Sequence, residues 1–495
     1  MRYGFLIKCA VLAVLVIAFD RLFQDAFAGA GIGVFAAAWL AALLIARVDL
    51  RRDRRAWIAI GAAFVFAVAL IDDPGLLAWA MFWCALSIAA LLPKAAAFDD
   101  AWRWAARLTI HGLSTITRLF GDLRRLVRRS RGRRANPLAI AAMLALPLIG
   151  CTAFLLLFAA ANPVIEQALA AIRFPAPARV LLWAVVALCL WPSLRPDAMV
   201  MRLAARLPAA EPALPGTSLP SVLIALVLFN VIFAVQNGLD IAFLWSGGAL
   251  PAGMTQTEYV HRGAYPLIVT ALIAGAMALA MLRPGSPSAR HPLARRLVTF
   301  WVAQNLVLVA SSALRTIDYI ESSMLTAWRI AALAWMALVA LGLVLICWRI
   351  LAGRSARWLI NWNALAATIV LAICTFVDLG AVAAAWNVRA RTPEAIDLCY
   401  LRDVGDGALI PLIALERRPM DAVTRDRVRF VRSQLLDDLR DDQAEWPRWT
   451  PRGARRLAVA TRLLGPRPPR PAAVPKDGYR DCDGAIRSRA EPARP

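Results

Sequence analysis

Stretches of about fifteen to thirty consecutive apolar residues recur along this chain, and no other feature restricts its fold so severely. A helix rises 1.5 Å per residue, so about twenty apolar residues cross the hydrocarbon core of a bilayer. Eleven windows fit: 5–19, 27–46, 57–71, 76–93, 138–160, 179–193, 220–245, 264–282, 297–314, 325–348 and 358–386. They predict an all-α, polytopic transmembrane bundle of about eleven spans with a small helical extramembrane tail at the C-terminus. Only 18% of the residues are charged, where a soluble domain carries about a quarter, so lipid is the solvent for most of the chain. Residues 1–28 imitate a signal peptide, with Arg2, Lys8 and Ala26-Phe27-Ala28. The charged stretch "DRLFQDAFA" before that cleavage-like site favours an uncleaved first span.

The net charge of +23 raises nucleic acid as a partner, so the placement of the charge decides. With the N-terminus on the cytoplasmic side, the inner loops 47–55, 94–137, 194–218, 283–296 and 349–357 hold 26 lysines and arginines. The outer loops hold four: Arg21, Arg173, Arg262 and Arg315. Positive-inside bias explains the excess without nucleic acid, and it predicts a bacterial inner-membrane protein with a periplasmic tail.

The windows divide the chain into a four-span group (1–93), a basic insertion (94–137), a seven-span core (138–386), a helical tail (387–464) and a Pro-rich linker with the C-terminus (465–495). In the insertion, Arg103, Arg107, His111, Ser114, Arg118, Asp122, Arg125 and Arg129 recur at helical spacing, with Trp102, Ala105, Leu108, Ile116 and Leu119 largely on the other side. Over 101–134 this reads as an amphipathic helix on the inner leaflet, its arginines reaching anionic headgroups. A docking surface for an acidic cytoplasmic partner is the other reading. Tail helices are expected near 393–404, 408–417, 420–442 and 451–464. Six of the eight cysteines fall within spans, while Cys399 and Cys482 lie in the tail, where an oxidising compartment permits them to pair.

Familiar chemical motifs are missing. No lysine follows a phosphate-binding glycine loop, and no paired-histidine zinc helix, CxxC or G-x-S-x-G exists. The three histidines, His111, His261 and His291, lie in different loops, so neither a metal nor a cofactor is expected. Gly29-Ala-Gly-Ile-Gly33, at the mouth of a span, reads as small residues for close helix packing.

What remains is polarity in the wrong solvent. Only Asp240 and Asp378 among the acids fall inside predicted spans. Asp240, Glu258, His261, Arg262, Arg315, Asp318, Tyr319, Glu321, Arg329 and Asp378 all fall in the outer half of the last five spans, with Gln236, Asn237, Gln304 and Asn305 extending the group inward. A charge at mid-bilayer costs about 2.5–3.5 kcal/mol, so such groups turn inward and find partners. One reading is a structural lock in which the acids neutralise Arg262, Arg315 and Arg329. Another is a periplasmic pocket for a polar or charged ligand, as in a transporter or permease. A third is a membrane-embedded enzyme using Glu258 and His261 as an acid–base pair.

The stretches "FAVQNGLDIAFLW", "TEYVHRGAYPLIVTALIA", "WVAQNLVLVASSALRTIDYIESSMLTAWRIAALAWMALVALGLVLI" and "NVRA…AIDLCYL" carry a resemblance. Over about 220–410 the chain resembles a bacterial multi-spanning family of unknown function, DUF4173, near DUF4153. The resemblance implies a recurring membrane unit and brings no catalytic residue. The resulting expectation is a non-enzymatic scaffold or envelope-sensing component, with the transporter and enzyme readings as alternatives.

Overall fold

The computed structural model describes residues 2–23, 29–95, 98–115, 176–206, 218–245, 269–279, 286–475 and 477–488, with a few further positions between 118 and 151 and at 281. Eighteen α-helices of five or more residues organise these residues. The first eight are α1 (Arg2–Leu22), α2 (Gly31–Ala46), α3 (Val48–Arg52), α4 (Arg54–Asp72), α5 (Leu76–Leu91), α6 (Ala101–Leu113), α7 (Pro177–Leu194) and α8 (Ala198–Ala205). Then come α9 (Leu219–Asp240), α10 (Val269–Leu279), α11 (Pro292–Ser322), α12 (Ala327–Ala352) and α13 (Ala356–Phe376). The tail adds α14 (Leu379–Ala390), α15 (Leu398–Val404), α16 (Leu409–Glu416), α17 (Ala422–Ala444) and α18 (Pro451–Leu464), then a hairpin of β1 (Gly478–Arg480) and β2 (Ile486–Ser488).

Seven described helices are long and apolar enough to cross a membrane: α4, α5 continued to Lys94, α7, α9, α11, α12 and α13. Of the other expected spans, 5–19 lies within α1, α2 and α10 are apolar but shorter, and 138–160 falls mostly outside the described residues. On α12, exposed Trp328 and Trp348 stand twenty residues apart, which is about 30 Å of helix and matches one hydrocarbon thickness. Exposed Trp57 and Trp102 lie at the arginine-rich end, and Trp245, Trp386 and Trp446 at the end carrying the tail, as aromatic belts do at the two interfaces.

Three apolar cores follow. The first gathers α1, α2, α4, α5 and α7 around Leu43, Leu70, Phe82 and Leu86. Helix α7, grouped by sequence with the later spans, therefore packs with the N-terminal group. Gly33 permits that core its closest approach, because a Cβ there would lie 2.3 Å from the Ile71 backbone nitrogen. The second joins α9, α10, α11, α12 and α13. The third belongs to the tail, where Val428, Val431, Leu435 and Leu439 of α17 pack on Leu401, Leu409, Leu412 and Ile413.

Turns between helices are set by capping. The side chains of Thr326, Ser355, Asp378, Asp421 and Thr450 each accept a main-chain N–H at the start of the following helix. Gly353 (φ +62°) closes α12 in the left-handed conformation.

Capping also corrects the last predicted span. The apolar window 358–386 is two helices, broken at Val377-Asp378, because the carboxylate of Asp378 serves the Ala381 amide (2.9 Å) as the cap of α14. An aspartate is a strong cap and a poor lipid-buried residue, so the chain turns there.

Candidate functional site

The expected polar belt separates into distinct groups. Its most buried part is a seam between α9 and α11, which run parallel. Asn230 donates to the carbonyls of Leu226 (2.7 Å) and Leu297 (3.1 Å), and the Gln304 amide donates to Asn230 Oδ1 (2.7 Å). Higher up, Asn237 donates to the Gln304 carbonyl (3.1 Å), and Gln236 reaches Asp240 Oδ1 (3.1 Å). Arg315 donates to the same Asp240 oxygen in an ion pair between two almost fully buried side chains. Asn305 donates to the Trp301 carbonyl of its own helix (2.8 Å). Above Asp240 the backbone widens into a π-helical turn, Ile241–Trp245, whose Trp245 indole reaches Ser311 Oγ (3.1 Å). The structure thus brings together Gln236, Asn237, Asp240, Gln304, Asn305 and Arg315.

It does not bring Arg329 or Asp378 to them. Arg329 lies over the Tyr319 ring, 4.1 Å from its centre, and donates to the Met324 carbonyl. Among the described residues no ion pair forms to the side chains of Asp318 or Glu321; the Glu321 carbonyl accepts from Arg391 (2.7 Å). Glu258, His261 and Arg262 lie outside the described residues, and with them the proposed acid–base pair.

Asp378 instead faces the tail. It pairs with Arg456 of α18, which also holds Asp406 at 2.8 Å. Burial opposes ionisation of Asp378, but the Ala381 amide and the Arg456 guanidinium outweigh it and hold the carboxyl below the ordinary aspartate range. One turn earlier, Arg452 bridges Asp72 (3.1 Å) and Asp73 (2.5 Å) at the end of α4 and donates to the Phe376 carbonyl (3.3 Å), while Arg455 adds a second bond to Asp72 (2.5 Å). Three arginines of one amphipathic helix thereby fasten the tail to the ends of α4, α13 and α14. Gly29 (φ +67°) completes the joint, since a Cβ there would meet the Pro447 carbonyl at 2.5 Å, and the next amide, Ala30, donates to the Trp449 carbonyl (2.8 Å). Cys399 and Cys482 form a disulfide with a Cα–Cα distance of 5.0 Å, tying α15 to the hairpin. The tail also carries a polar recess of about 530 Å³ lined by Arg402, Asp406, Gln434, Asp438 and Asp442.

A fourth group was not anticipated, at the arginine-rich end of the first bundle. Arg47 is buried, donating to the carbonyls of Ala90 (2.6 Å) and Ser193 (3.3 Å) and pairing with Asp49. Lys94 donates to the Pro196 carbonyl, and Arg118 to that of Arg195 (3.3 Å) and to Asp197. Asp122 sits among Trp191 (3.1 Å), Arg195 (3.3 Å) and Arg118 (3.4 Å). These cations cap the exposed carbonyl ends of α5 and α7, where the helix dipole favours positive charge. The face of α6 expected to meet headgroups is therefore turned inward: Arg107 pairs with Asp99 (2.5 Å), and His111 is buried beside Trp83. Desolvation, with Arg47 and Lys94 nearby, lowers the His111 pKa to about 4. Much of 101–134 beyond α6 lies outside the described residues. Residue spacing showed a stripe of arginines with Asp122 among them, but not Asp49, Asp99 and Asp197, which also pair with these cations.

Among the described residues no group of three His, Cys, Asp or Glu side chains is arranged to hold a metal. No curated protein and no solved structure matches the chain. One family model does match, that of DUF4153. The matched stretch begins in α4 and ends in α16, taking in spans of both bundles. Residues 58–415 match the family described as "Domain of unknown function (DUF4153)", and the chain belongs to that family.

Proposed function

We propose that this protein is a non-enzymatic scaffold or envelope-sensing component of the bacterial inner membrane, with eleven spans, its N-terminus in the cytoplasm and its tail in the periplasm. The motifs within 220–410 support a finer placement near DUF4173. The observation that carries the functional reading is the fastening of the tail by Arg452, Arg455 and Arg456 to Asp72, Asp73, Asp378 and Asp406. A folded domain with its own core, held rigidly against the outer ends of three helices, is the geometry of a platform. Among the described buried arginines, Arg47, Arg107, Arg315 and Arg432 each pair with an acid of the chain, as a lock requires. The orientation draws support from the arginine count and from the Cys399–Cys482 bond, which belongs in an oxidising compartment.

Cysteine labelling from each side of the membrane tests the topology: Gly132→Cys reacts from the cytoplasm and Gln443→Cys from the periplasm. The scaffold reading is tested by charge removal at the joint, with Arg452→Gln and Arg455→Gln together. The protein should stay in the membrane at normal abundance while complementation of a deletion strain is lost. Full complementation by that variant sinks the reading.

A further inference from the structure

An apolar groove of about 420 Å³ lies between α10, α12 and α13. It runs from Trp335 to Ile346 along α12 and from Leu359 to Ala367 along α13. Leu272 and Trp335 line it and are 46% and 51% exposed, so it opens on the outside of the bundle. One amide interrupts the apolar wall. The Asn363 NH2 donates to the Leu359 carbonyl of its own helix (2.9 Å), and a Cβ on Gly342 would press on Asn363 Oδ1 at 3.0 Å, so the glycine preserves the room.

An unfilled groove of this size forfeits dispersion along its whole wall, and so apolar a wall does not hold water. Length and charge together identify the occupant. From Trp335 to Ile346 the helix rises about 16 Å, and half the hydrocarbon core of a bilayer is about 15 Å. Ile346 lies two residues before Trp348, which marks the arginine-rich interface, so the groove extends from that interface to about the bilayer centre. That is the reach of one acyl chain. At the same interface α12 and α13 are joined by Gly353-Arg354-Ser355, and Arg354 and Arg357 are both exposed there. Arg357 donates to the Phe98 carbonyl (3.4 Å), and among the described residues no acid pairs with either guanidinium. Cations placed where an acyl chain meets its headgroup favour an anionic phosphodiester.

We propose that the groove holds an acyl chain of an anionic phospholipid from the arginine-rich leaflet, with Arg354 and Arg357 at its phosphate. Bound there, the lipid joins α10 to α12 and α13. The scaffold reading does not enter this inference.

The test uses the full-length protein in phosphatidylcholine vesicles with a trace of photoactivatable lipid. The probe is phosphatidylglycerol or phosphatidylcholine with the same diazirine-bearing acyl chain, and labelled residues are mapped by mass spectrometry. The phosphatidylglycerol probe should label the groove on the order of tenfold more than the phosphatidylcholine probe. Exposed Leu365 and Ile369, which do not line the groove, should be labelled equally by both. Arg354→Gln with Arg357→Gln should bring the two probes close to parity, and Ala367→Phe, which fills the groove from α13, should remove labelling by either. Equal labelling of the wild-type groove by the two probes overturns the proposal and leaves bulk lipid only. No groove labelling by either probe overturns it in favour of a protein segment as occupant. A preference that persists undiminished in the arginine variant overturns it too. The wild-type comparison decides by itself if the variants fail to accumulate.

Discussion

Arg315 donates to Oδ1 of Asp240 across 75 residues of sequence, and both side chains are almost completely hidden from solvent. Neither charge can leave without stranding the other. Removing one member of a buried pair costs about 3–5 kcal/mol, whereas replacing both with apolar groups of similar volume is close to neutral. Asp240→Leu and Arg315→Met should therefore each reduce membrane abundance severalfold, and the double variant should restore most of it. A double variant no better than its worse parent would show that the two charges do not act as a pair.

Asp378 has two roles, and two substitutions separate them. As a cap it serves the Ala381 amide, and as an acid it meets Arg456. Asparagine keeps the cap and loses the ion pair, while alanine loses both. Asp378→Ala should be less stable than Asp378→Asn by about 1 kcal/mol, read from thermal unfolding. The folded pKa lies below the unfolded value near 3.9, so the contribution is complete above about pH 4 and fades only as pH falls through the folded pKa. Acidification from pH 7 to 5 should leave this joint intact, which protease resistance of the tail at both pH values would show.

The seven long apolar helices were legible in the sequence because apolar length is a property of contiguous residues. That Asp240 would find a buried partner follows from membrane depth, but spacing did not say which of Arg262, Arg315 and Arg329 it would be. The partner of Asp378 was not legible either. Arg456 lies in an amphipathic tail helix whose docking depends on the ends of α4, α13 and α14 meeting in space, and periodicity says nothing of that. For the same reason the stripe of Arg107, His111 and Arg118 reads from spacing as facing lipid headgroups. Asp122 stands in that same stripe, four residues from Arg118, but Asp99 and Asp197 lie outside it, and Asp197 meets Arg118 only through the fold.

Buried His111 gives this region a pH dependence of the opposite reach. Desolvation and the nearby Arg47 and Lys94 hold its pKa at about 4, against about 6.5 when unfolded. Between those values the unfolded chain binds a proton that the folded chain refuses, so stability falls as pH drops from 6.5 to about 4, by up to about 1.4 kcal/mol per unit. His111→Gln removes the titrating group. Melting curves from pH 7.5 to 4.5 should show a shallower decline for the variant than for the wild type, and equal slopes would contradict the assignment.

The Cys399–Cys482 bond spans a sequence separation of 83, and closing a loop of that length constrains the unfolded chain by about 4 kcal/mol. Its ends lie in different parts of the tail, because Cys399 sits on α15 and Cys482 in the turn between β1 and β2. The hairpin has two three-residue strands and leans on α17 through Arg427–Asp483 (contact at the carboxylate) and Arg480–Asp426 (2.8 Å). The partly exposed Arg427–Asp483 pair contributes little singly, while Arg480, its side chain almost fully covered, also lies over the Phe430 ring; the covalent link adds to these contacts. The core of Val428, Leu435 and Leu412 does not involve the hairpin. Cys482→Ser should therefore loosen the hairpin while the helical tail stays folded: limited proteolysis should cut after Arg480 or Arg487 and leave α15–α18 resistant. General proteolysis of the tail in that variant would show instead that the bond holds the helical core itself.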